Sequence, residues 1–291
     1  MADVQRTDHV IDGLRCVVRS CGPQSGREAA VFLHGNPGSS EDWIDLLERA
    51  GEFGRAVAPD MPGFGKSERP RHFDYSIDGY AVYLESILRT LGIERAHLVL
   101  HDFGGAWGLR WAADHAARVA SLTLFNIGLM PDFRWHLVGR MWRTPILGEL
   151  LQATTSRMSF KWALNAANPK RFPEAFLDRM YDDTDAGLKR AQLALYRATT
   201  DFKALSALAA ARLTPLGLPA LVIWGEGDSY ASSEFAAQQS QYFRTEIHTL
   251  PGAGHWVMVD EPERAAQWVI PFLQKQWGQT SAHTADASRS H

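Results

Sequence analysis

The segment Leu98-Val-Leu-His-Asp102-Phe-Gly-Gly105 joins an apolar stretch, one acidic residue and two adjacent glycines. The apolar stretch predicts a buried strand, and the spacing of apolar residues after Gly104 predicts a helix. The chain must therefore turn sharply at Asp102. Glycines let other backbone pass close to such a turn, because they carry no side chain. The segment predicts a strained acidic residue at the carboxyl end of a strand.

Enzymes with a G-x-S-x-G motif hold a nucleophilic serine in a strand–turn–helix segment of this kind. Asp102 occupies that place here, and Leu100 replaces the small residue expected two places earlier. An aspartate at the start of a helix is also a common helix cap. We favour a functional interpretation because three further segments follow predicted strands in a fitting order.

The first of these segments is His34-Gly-Asn36-Pro37, which follows the apolar run 29–34. A backbone N–H in this loop, at Asn36, and the N–H of Phe103 would together form an oxyanion hole beside Asp102.

The other two segments supply an acid and a base. Trp224-Gly-Glu-Gly-Asp228 follows one predicted strand, and Gly252-Ala-Gly-His255 follows the last one. Glu226 is a rival acid, but Asp228 lies beyond both glycines, where the loop turns back. The chain order nucleophile, acid, base is that of the G-x-S-x-G hydrolases, so Asp102, Asp228 and His255 are predicted as a catalytic triad.

The remaining pattern indicates an α/β protein. Strands that are apolar throughout alternate with helices up to residue 126, which predicts a parallel sheet covered on both faces. Residues 130–213 have helical patterns only, and strands return afterwards. We therefore predict a core domain of residues 1–129 and 214–278, a helical insertion at 130–213 and a disordered tail at 279–291.

Composition limits the function classes. Of 291 residues, 45% are hydrophobic and 22% charged, and the net charge of −3 is spread without a basic patch, which argues against nucleic acid as a partner. No apolar run is long enough for a membrane span, and no signal peptide is recognised, so we expect a cytoplasmic protein. Cys16 and Cys21 should point to opposite faces of a strand and stay unpaired. No metal site or cofactor motif is found.

A carboxylate nucleophile restricts the chemistry. It is charged at neutral pH and suits displacement at an alkyl carbon, which forms an ester of Asp102. His255, oriented by Asp228, would then activate water against the carbonyl carbon of that ester. An epoxide oxygen or a halide is the natural leaving group.

The stretch from about residue 29 to 276 resembles the epoxide hydrolases and haloalkane dehalogenases, the α/β-hydrolase branch with an aspartate nucleophile. The motifs are HGNP (34–37), DMPGFGKSERP (60–70), HDFGG (101–105) and GHWVMVDEPE (254–263). The resemblance implies an α/β-hydrolase fold with a mostly parallel eight-stranded sheet, helices on both faces and an inserted helical cap.

For an epoxide, the family implies two acids from the cap, usually tyrosines. Leu195-Tyr196-Arg197 resembles the segment that carries one of them, so Tyr196 is predicted to protonate the leaving oxygen. The other tyrosine should lie near residue 150, where the sequence has none. His136 or Tyr181 would replace it.

For a halide, Asn36 resembles the dehalogenase asparagine, and Trp135 or Trp142 would supply a second donor. Phe103 stands where dehalogenases carry tryptophan and has no N–H in its side chain. We therefore predict an epoxide hydrolase, with a haloalkane dehalogenase as the alternative and a non-catalytic ligand receptor as a third reading. The substrate of the enzyme would be a small apolar epoxide or alkyl halide, which reacts with water. The sequence leaves open whether the protein is a homodimer. The predicted substrate pocket comprises His34, Pro37, Trp135, Trp142 and Trp256.

Overall fold

A sheet of eight strands forms the centre of the protein, which is described by a computed structural model of residues 3–287 with side chains for residues 3–277. The strands are β1 (Gln5–Ile11), β2 (Leu14–Cys21), β3 (Glu28–Leu33), β4 (Ala56–Pro59), β5 (Arg95–His101), β6 (Val119–Phe125), β7 (Pro219–Gly225) and β8 (Arg244–Leu250). None of the helices described for residues 3–287 combines the length and the hydropathy of a membrane-spanning segment.

The strand order is β1-β2-β4-β3-β5-β6-β7-β8. Strand β2 runs opposite to β1 and β4, and the other neighbours pair in parallel. The central strands β3, β5 and β6 are buried along almost their whole length because both faces are covered. The predicted eight-stranded, mostly parallel sheet is confirmed.

Twelve α-helices accompany the sheet in the described part of the chain. They are α1 (Ile44–Gly51), α2 (Ile77–Thr90), α3 (Phe103–Asp114), α4 (Leu137–Arg143), α5 (Leu147–Thr154), α6 (Arg157–Ala166), α7 (Glu174–Asp182), α8 (Ala186–Ala198), α9 (Phe202–Leu213), α10 (Glu234–Gln238), α11 (Val257–Asp260) and α12 (Pro262–Ala287).

Two apolar clusters, one on each face of the sheet, make the core. Leu33 of β3 belongs to the first cluster, with side chains of α2, α3 and α9. The neighbouring Phe32 belongs to the second, with side chains of α1 and α12. This alternation follows from the two-residue period of a strand. Cys16 and Cys21 divide between the clusters in the same way, and both are free.

Helices α4 to α9 all lie between β6 and β7. Helix α9 packs along α3, and its Leu213 belongs to the first core cluster. Helices α4, α5 and α8 contact one another, and α6 contacts α7. The insertion between these two strands is therefore helical, with α9 joined to the layer beside the sheet.

Polar contacts tie the insertion to the core near α7. Arg179 donates to Ser39 Oγ (2.8 Å) and to Asp42 Oδ1 (2.5 Å) in the short 3₁₀ helix region after β3. Asn168 Nδ2 donates to Asp260 Oδ1 (2.9 Å) in α11. Because Asp42 is almost fully buried, its ion pair with Arg179 is shielded from salt. These contacts fix the part of the insertion around α7 to the core.

The tail predicted at 279–291 is described in part. The backbone of α12 continues to Ala287, so residues 279–287 are helical here, and residues 288–291 lie outside the described residues.

Trp43 is a fully buried residue whose loss should be costly. Its ring contacts Phe32 and Phe125, each at 5.6 Å between centroids. We expect Trp43→Ala to lower the free energy of unfolding by about 3–5 kcal/mol, because a large cavity remains. Trp162→Ala is the matched control: Trp162 is 72% exposed, so its loss should change this energy by about 0.5 kcal/mol or less. Denaturant unfolding measures both, and equal effects would contradict the described core.

Candidate active site

Asp102 lies at the turn between β5 and α3 in a backbone conformation that side chains rarely adopt. Its φ is 50° and its ψ is −126°. A strained non-glycine residue of this kind persists only when its surroundings fix it, and it costs of the order of 1–3 kcal/mol. The two glycines after Phe103 allow neighbouring segments to pack closely against this turn. A Cβ on Gly104 would lie 2.3 Å from Leu33 O, and one on Gly105 would lie 2.3 Å from Ile127 Cγ1.

Leu100 is larger than the residue expected at its position, and α3 makes room for it. A Cβ on Gly108 would lie 2.5 Å from Leu100 Cδ2. The absence of a side chain at Gly108 therefore compensates for the larger one at Leu100.

The two carboxylate oxygens of Asp102 have different partners. The Asn36 backbone N–H donates to Oδ1 at 2.7 Å. His255 Nε2 lies 3.4 Å from Oδ2. The predicted oxyanion-hole residue Asn36 is thus next to Asp102. Phe103 is the first residue of α3, so its N–H has no acceptor within the helix and its predicted role is compatible with this position.

Asp228 orients His255. The Nδ1–H of His255 donates to Asp228 Oδ2 at 2.7 Å, and the Asn126 amide donates to the same oxygen at 2.7 Å. Oδ1 accepts the backbone N–H groups of Tyr230 (2.7 Å) and Ala231 (3.0 Å). Four donors therefore hold the Asp228 carboxylate in one orientation. Asn126 was not predicted, although it follows β6 at the same sheet edge.

Glu226, the rival acid, is exposed to solvent, whereas the Asp228 side chain is fully buried. The structure therefore places Asp102, Asp228 and His255 in one chain of contacts and leaves Glu226 outside it.

The charges of Asp102, His255 and Asp228 stabilise one another. Burial opposes the charge on Asp102, but the hydrogen bond and charge of His255, helped by the Asn36 N–H, lower the pKa of Asp102 to about 2. Burial also opposes the charge on His255, yet Asp228 and Asp102 together raise the pKa of His255 to about 10. The resting site is an imidazolium held between two carboxylates.

His101 stays neutral beside this pair. Burial, followed by the charge of His255, lowers the pKa of His101 to about 3. Its Nε2–H donates to the His255 carbonyl at 3.0 Å, and the two rings lie 4.6 Å apart. His101 thus fixes the backbone of His255 without adding charge.

Two cavities meet at Asp102. The larger has a volume of about 540 Å³ and the smaller about 30 Å³. Both are lined by Asp102, His136, Tyr196, Tyr230 and His255. The larger opens past apolar rim residues that are mostly exposed, among them Leu137 (64%) and Trp162 (72%). A site of this size and lining suits a small apolar molecule.

Most predicted pocket residues line these cavities. Pro37, Trp142 and Trp256 line the larger one, and Trp135 and Phe103 line the smaller one.

His34 was predicted to line the pocket, and this is wrong. It is fully buried beneath the loop, where Nδ1–H donates to Gly35 O (2.8 Å) and Nε2 accepts the Met61 N–H (3.0 Å). Both ring nitrogens are occupied by backbone, so His34 supports the loop that carries Asn36.

Tyr196 reaches the site from α8, and Tyr181 does not. The Tyr196 side chain is 4% exposed, and its ring packs on Phe103 at 5.2 Å. Burial and the negative charge of Asp102 raise the pKa of Tyr196 well above 10, while Asn36 lowers it. Tyr181 lies on α7, where it packs against Phe160 and under the Arg157 guanidinium. The suggestion that Tyr181 is a second acid is therefore wrong.

His136 lies at the cavity junction as the N-cap of α4. Its Nδ1 accepts the Gly139 N–H at 3.2 Å, so a proton on the neutral ring resides on Nε2. Burial lowers the pKa of His136, which favours the neutral ring.

Tyr230 is a site residue that the sequence analysis missed. Its ring lies 5.0 Å from that of His255 and 4.9 Å from that of His136. Its position two residues after Asp228, in the loop following β7, was the available signal. Gln152 and Gln192, which also line the larger cavity, were missed because helical spacing does not separate buried from exposed glutamines.

Among the side chains described, no group of three His, Cys, Asp or Glu residues is arranged to hold a metal ion.

Known proteins resemble this chain over most of its length. Epoxide hydrolase 3 of Xenopus tropicalis is 26% identical over 273 residues, covering 85% of this chain and 71% of the relative. A 2-hydroxy-6-oxononadienedioate/2-hydroxy-6-oxononatrienedioate hydrolase of Paraburkholderia phymatum is 27% identical, with 86% and 88% covered. A haloalkane dehalogenase structure from Bradyrhizobium elkani superposes with a TM-score of 0.83 at 23% identity, covering 95% of this chain and all of that one.

The family model of the α/β hydrolase fold matches residues 30–262, which include the loop of Asn36, the turn at Asp102 and the segments carrying Asp228 and His255. With the strand order and helical insertion described above, this match shows that the chain belongs to the α/β hydrolase fold family.

Proposed function

We propose that this hydrolase is an epoxide hydrolase that converts an epoxide and water to a vicinal diol through an ester of Asp102. The observation that carries the proposal is the division of labour between the two oxygens of Asp102. Oδ1 is bound by the Asn36 N–H, and Oδ2 faces His255 at the cavity. The 26% identity to an epoxide hydrolase agrees with it.

In the first step, Oδ2 attacks a ring carbon of the epoxide. The C–O bond of the ring breaks as the ester bond forms, and the leaving oxygen takes a proton from the Tyr196 hydroxyl. Because the pKa of Tyr196 lies well above 10, the phenol holds its proton at neutral pH and donates it only to a strong base such as an alkoxide.

In the second step, His255 Nε2 takes a proton from water, and the hydroxide attacks the carbonyl carbon of the ester. Negative charge develops on Oδ1, where the Asn36 N–H already donates. The intermediate collapses with cleavage of the bond between the carbonyl carbon and Oδ2, which leaves a carboxylic acid and an alkoxide. The acid proton passes to the alkoxide, which completes the diol and restores the Asp102 carboxylate. The proton that His255 loses when the ester forms restores the Tyr196 hydroxyl, and the proton that His255 takes from water returns it to its resting state.

The same electrostatics that hold His255 protonated at rest free it for this step. Two carboxylates raise its pKa, and alkylation removes the charge of Asp102. The pKa of His255 therefore falls in the ester, when a base is needed.

We further propose that α4 to α8 act as a cap. These helices supply Tyr196 and much of the lining of the larger cavity, so they exclude water from the reacting atoms. Helix α9 is excluded from the cap because it packs on α3.

A haloalkane dehalogenase is the second candidate. The observation in its favour is the Asn36 side-chain amide, whose Nδ2 is buried at the cavity without a hydrogen-bond partner among the described residues. Trp135 and Trp142 line the cavities as well. Against it, Phe103 offers a halide no side-chain donor. A ligand receptor would not need the ordered Asp228–His255–Asp102 contacts.

A single-turnover reaction in H₂¹⁸O tests the ester. With enzyme in excess over styrene oxide, we expect the label in the Asp102 carboxylate and none in the first diol, because water attacks the ester carbonyl. Mass spectrometry of the peptide and the diol reads both. His255→Gln should accumulate an adduct on Asp102, and Asp102→Asn should be inactive. Label in the first diol would contradict an ester intermediate.

Tyr196→Phe tests the leaving group. Loss of a positioned acid should slow epoxide opening by about 10²–10⁴-fold, whereas bromide release from 1-bromohexane, if present, should change little. Tyr181→Phe is the matched control and should keep wild-type rates, since Tyr181 lies outside the site. Bromide release without diol formation in the wild type would favour the dehalogenase.

The pH dependence tests the base. In the resting enzyme, NMR titration should find His255 protonated up to about pH 10. Hydrolysis of the Asp102 ester needs the neutral ring, so its rate should rise with pH and level off at a midpoint well below 10, because Asp102 is then uncharged. Rapid-quench kinetics measure this rate. A common midpoint in both experiments would show that Asp102 does not control the pKa of His255.

A further inference from the structure

Three buried side-chain amides form a hydrogen-bonded row along the larger cavity. Gln152 of α5 donates from Nε2 to Gln192 Oε1 at 3.0 Å. Gln192 of α8 donates from Nε2 to Asn36 Oδ1 at 2.7 Å. All three residues are at most 6% exposed, and all line the cavity. The row connects two helices of the insertion to the loop beside Asp102.

The row has a direction. Each amide gives its N–H to the oxygen of the next, so the last group without a protein partner in the described structure is the Asn36 Nδ2. In the opposite direction, Asn36 would turn its carbonyl oxygen toward the reacting groups. That oxygen would then meet the charge of Asp102, and two negative groups in a site of low dielectric repel strongly. The charge of Asp102 therefore selects the direction in which Asn36 presents a donor.

Tyr196 lies in the same cavity as the Asn36 amide. Asp102 also lines this larger cavity. The Asn36 side chain lowers the pKa of Tyr196, whereas burial and Asp102 raise it, which agrees with this placement. The N–H of Asn36 and the O–H of Tyr196 thus converge on one region of the cavity beside the attacking carboxylate.

The row also explains a missing residue. The family resemblance calls for a second tyrosine near residue 150, and the chain has Gln152 there. Gln152 is 6% exposed and is committed to Gln192, so it does not itself replace the tyrosine as a proton donor. Its contact with Gln192 points to a different role.

We propose that Gln192, held by Gln152, is a positioning residue that keeps the Asn36 amide turned toward the leaving oxygen, so that this amide serves as the second donor of ring opening. The proposal rests on the proposed function and adds a specific division of roles. Tyr196 transfers the proton, and Asn36 stabilises the departing oxygen by a hydrogen bond without losing a proton. Neither glutamine touches the proton that moves.

Two substitutions at Gln192 separate orientation from packing. Gln192→Met keeps the length of the side chain and removes the donor. Gln192→Glu keeps size and polarity, but its carboxylate can only accept, so it should turn the Asn36 amide over. Gln239→Met is the matched control, because Gln239 is a buried glutamine that bonds to Leu129 backbone and lines neither cavity.

The readout is the rate of each half-reaction in rapid-quench experiments with styrene oxide. We expect alkylation of Asp102 to slow about 10-fold in Gln192→Met and at least as much in Gln192→Glu, which is less than the 10²–10³-fold typical of deleting a donor itself. Hydrolysis of the ester should stay within about 2-fold in both, because the Asn36 backbone N–H and His255 are unchanged. Gln239→Met should leave both rates within about 2-fold.

Unchanged alkylation in both Gln192 variants, or equal slowing of the two half-reactions, would overturn the proposal. Faster alkylation in Gln192→Glu than in Gln192→Met would also do so, since it would show that polarity alone is needed.

Failure of the proposed function is distinguishable from failure of this inference. A wild type that opens no epoxide refutes the proposed function. A double-mutant cycle of Gln152→Met and Gln192→Met on the free energy of unfolding then tests whether the two glutamines are coupled by their hydrogen bond. Non-additive effects support the row of bonds, and additive effects reject it.

Discussion

The turn at Asp102 is the constraint on which the site depends. A strand ends and a helix begins within one residue, and the residue between them has φ of 50°. This conformation aims the carboxylate away from both elements and into the cavity. The turn also brings Gly104 and Gly105 into close contact with neighbouring backbone and side chains. Strand β3 lies against Gly104, and the loop after β6 lies against Gly105. The strain at Asp102 is therefore balanced by close packing of these two neighbouring segments.

Electrostatics complete what the turn begins. His255 stands between Asp102 and Asp228, and the three groups carry one net negative charge at neutral pH, because the imidazolium offsets one of the two carboxylates. The arrangement is also asymmetric. Asp228 is held by four hydrogen-bond donors and stays charged throughout, whereas Asp102 has one backbone donor on Oδ1 and an open face on Oδ2. A carboxylate held by fewer hydrogen-bond donors is the better nucleophile. The surroundings thus assign different roles to two identical side chains.

Sequence patterns predicted the sheet and the contacts of Asp102, Asp228 and His255, because both depend on local signals. Apolar runs identify buried strands, and loops that follow parallel strands meet at one edge of the sheet. The same signals could not decide what each loop residue does. His34 precedes Asn36 by two residues, yet its ring turns inward to bond backbone. Tyr181 and Tyr196 both lie on amphipathic helices, and only packing reveals that one of them faces Phe160 and the other Phe103. The glutamine row was invisible for the same reason, since it joins residues 36, 152 and 192.

The uneven attachment of the insertion has an evolutionary consequence. Near α7, buried polar contacts through Arg179 and Asn168 fix it to the loop after β3 and to α11. Helices α4 and α5 are held mainly by each other and by α8, and α4 carries exposed apolar residues at the cavity rim. Substitutions there can alter which molecules are admitted at little thermodynamic cost to the catalytic framework. Residues of the cavity rim can therefore change under selection for new substrates while the turn at Asp102, its glycines and the anchoring contacts are retained. Substrate choice can then evolve separately from the catalytic site.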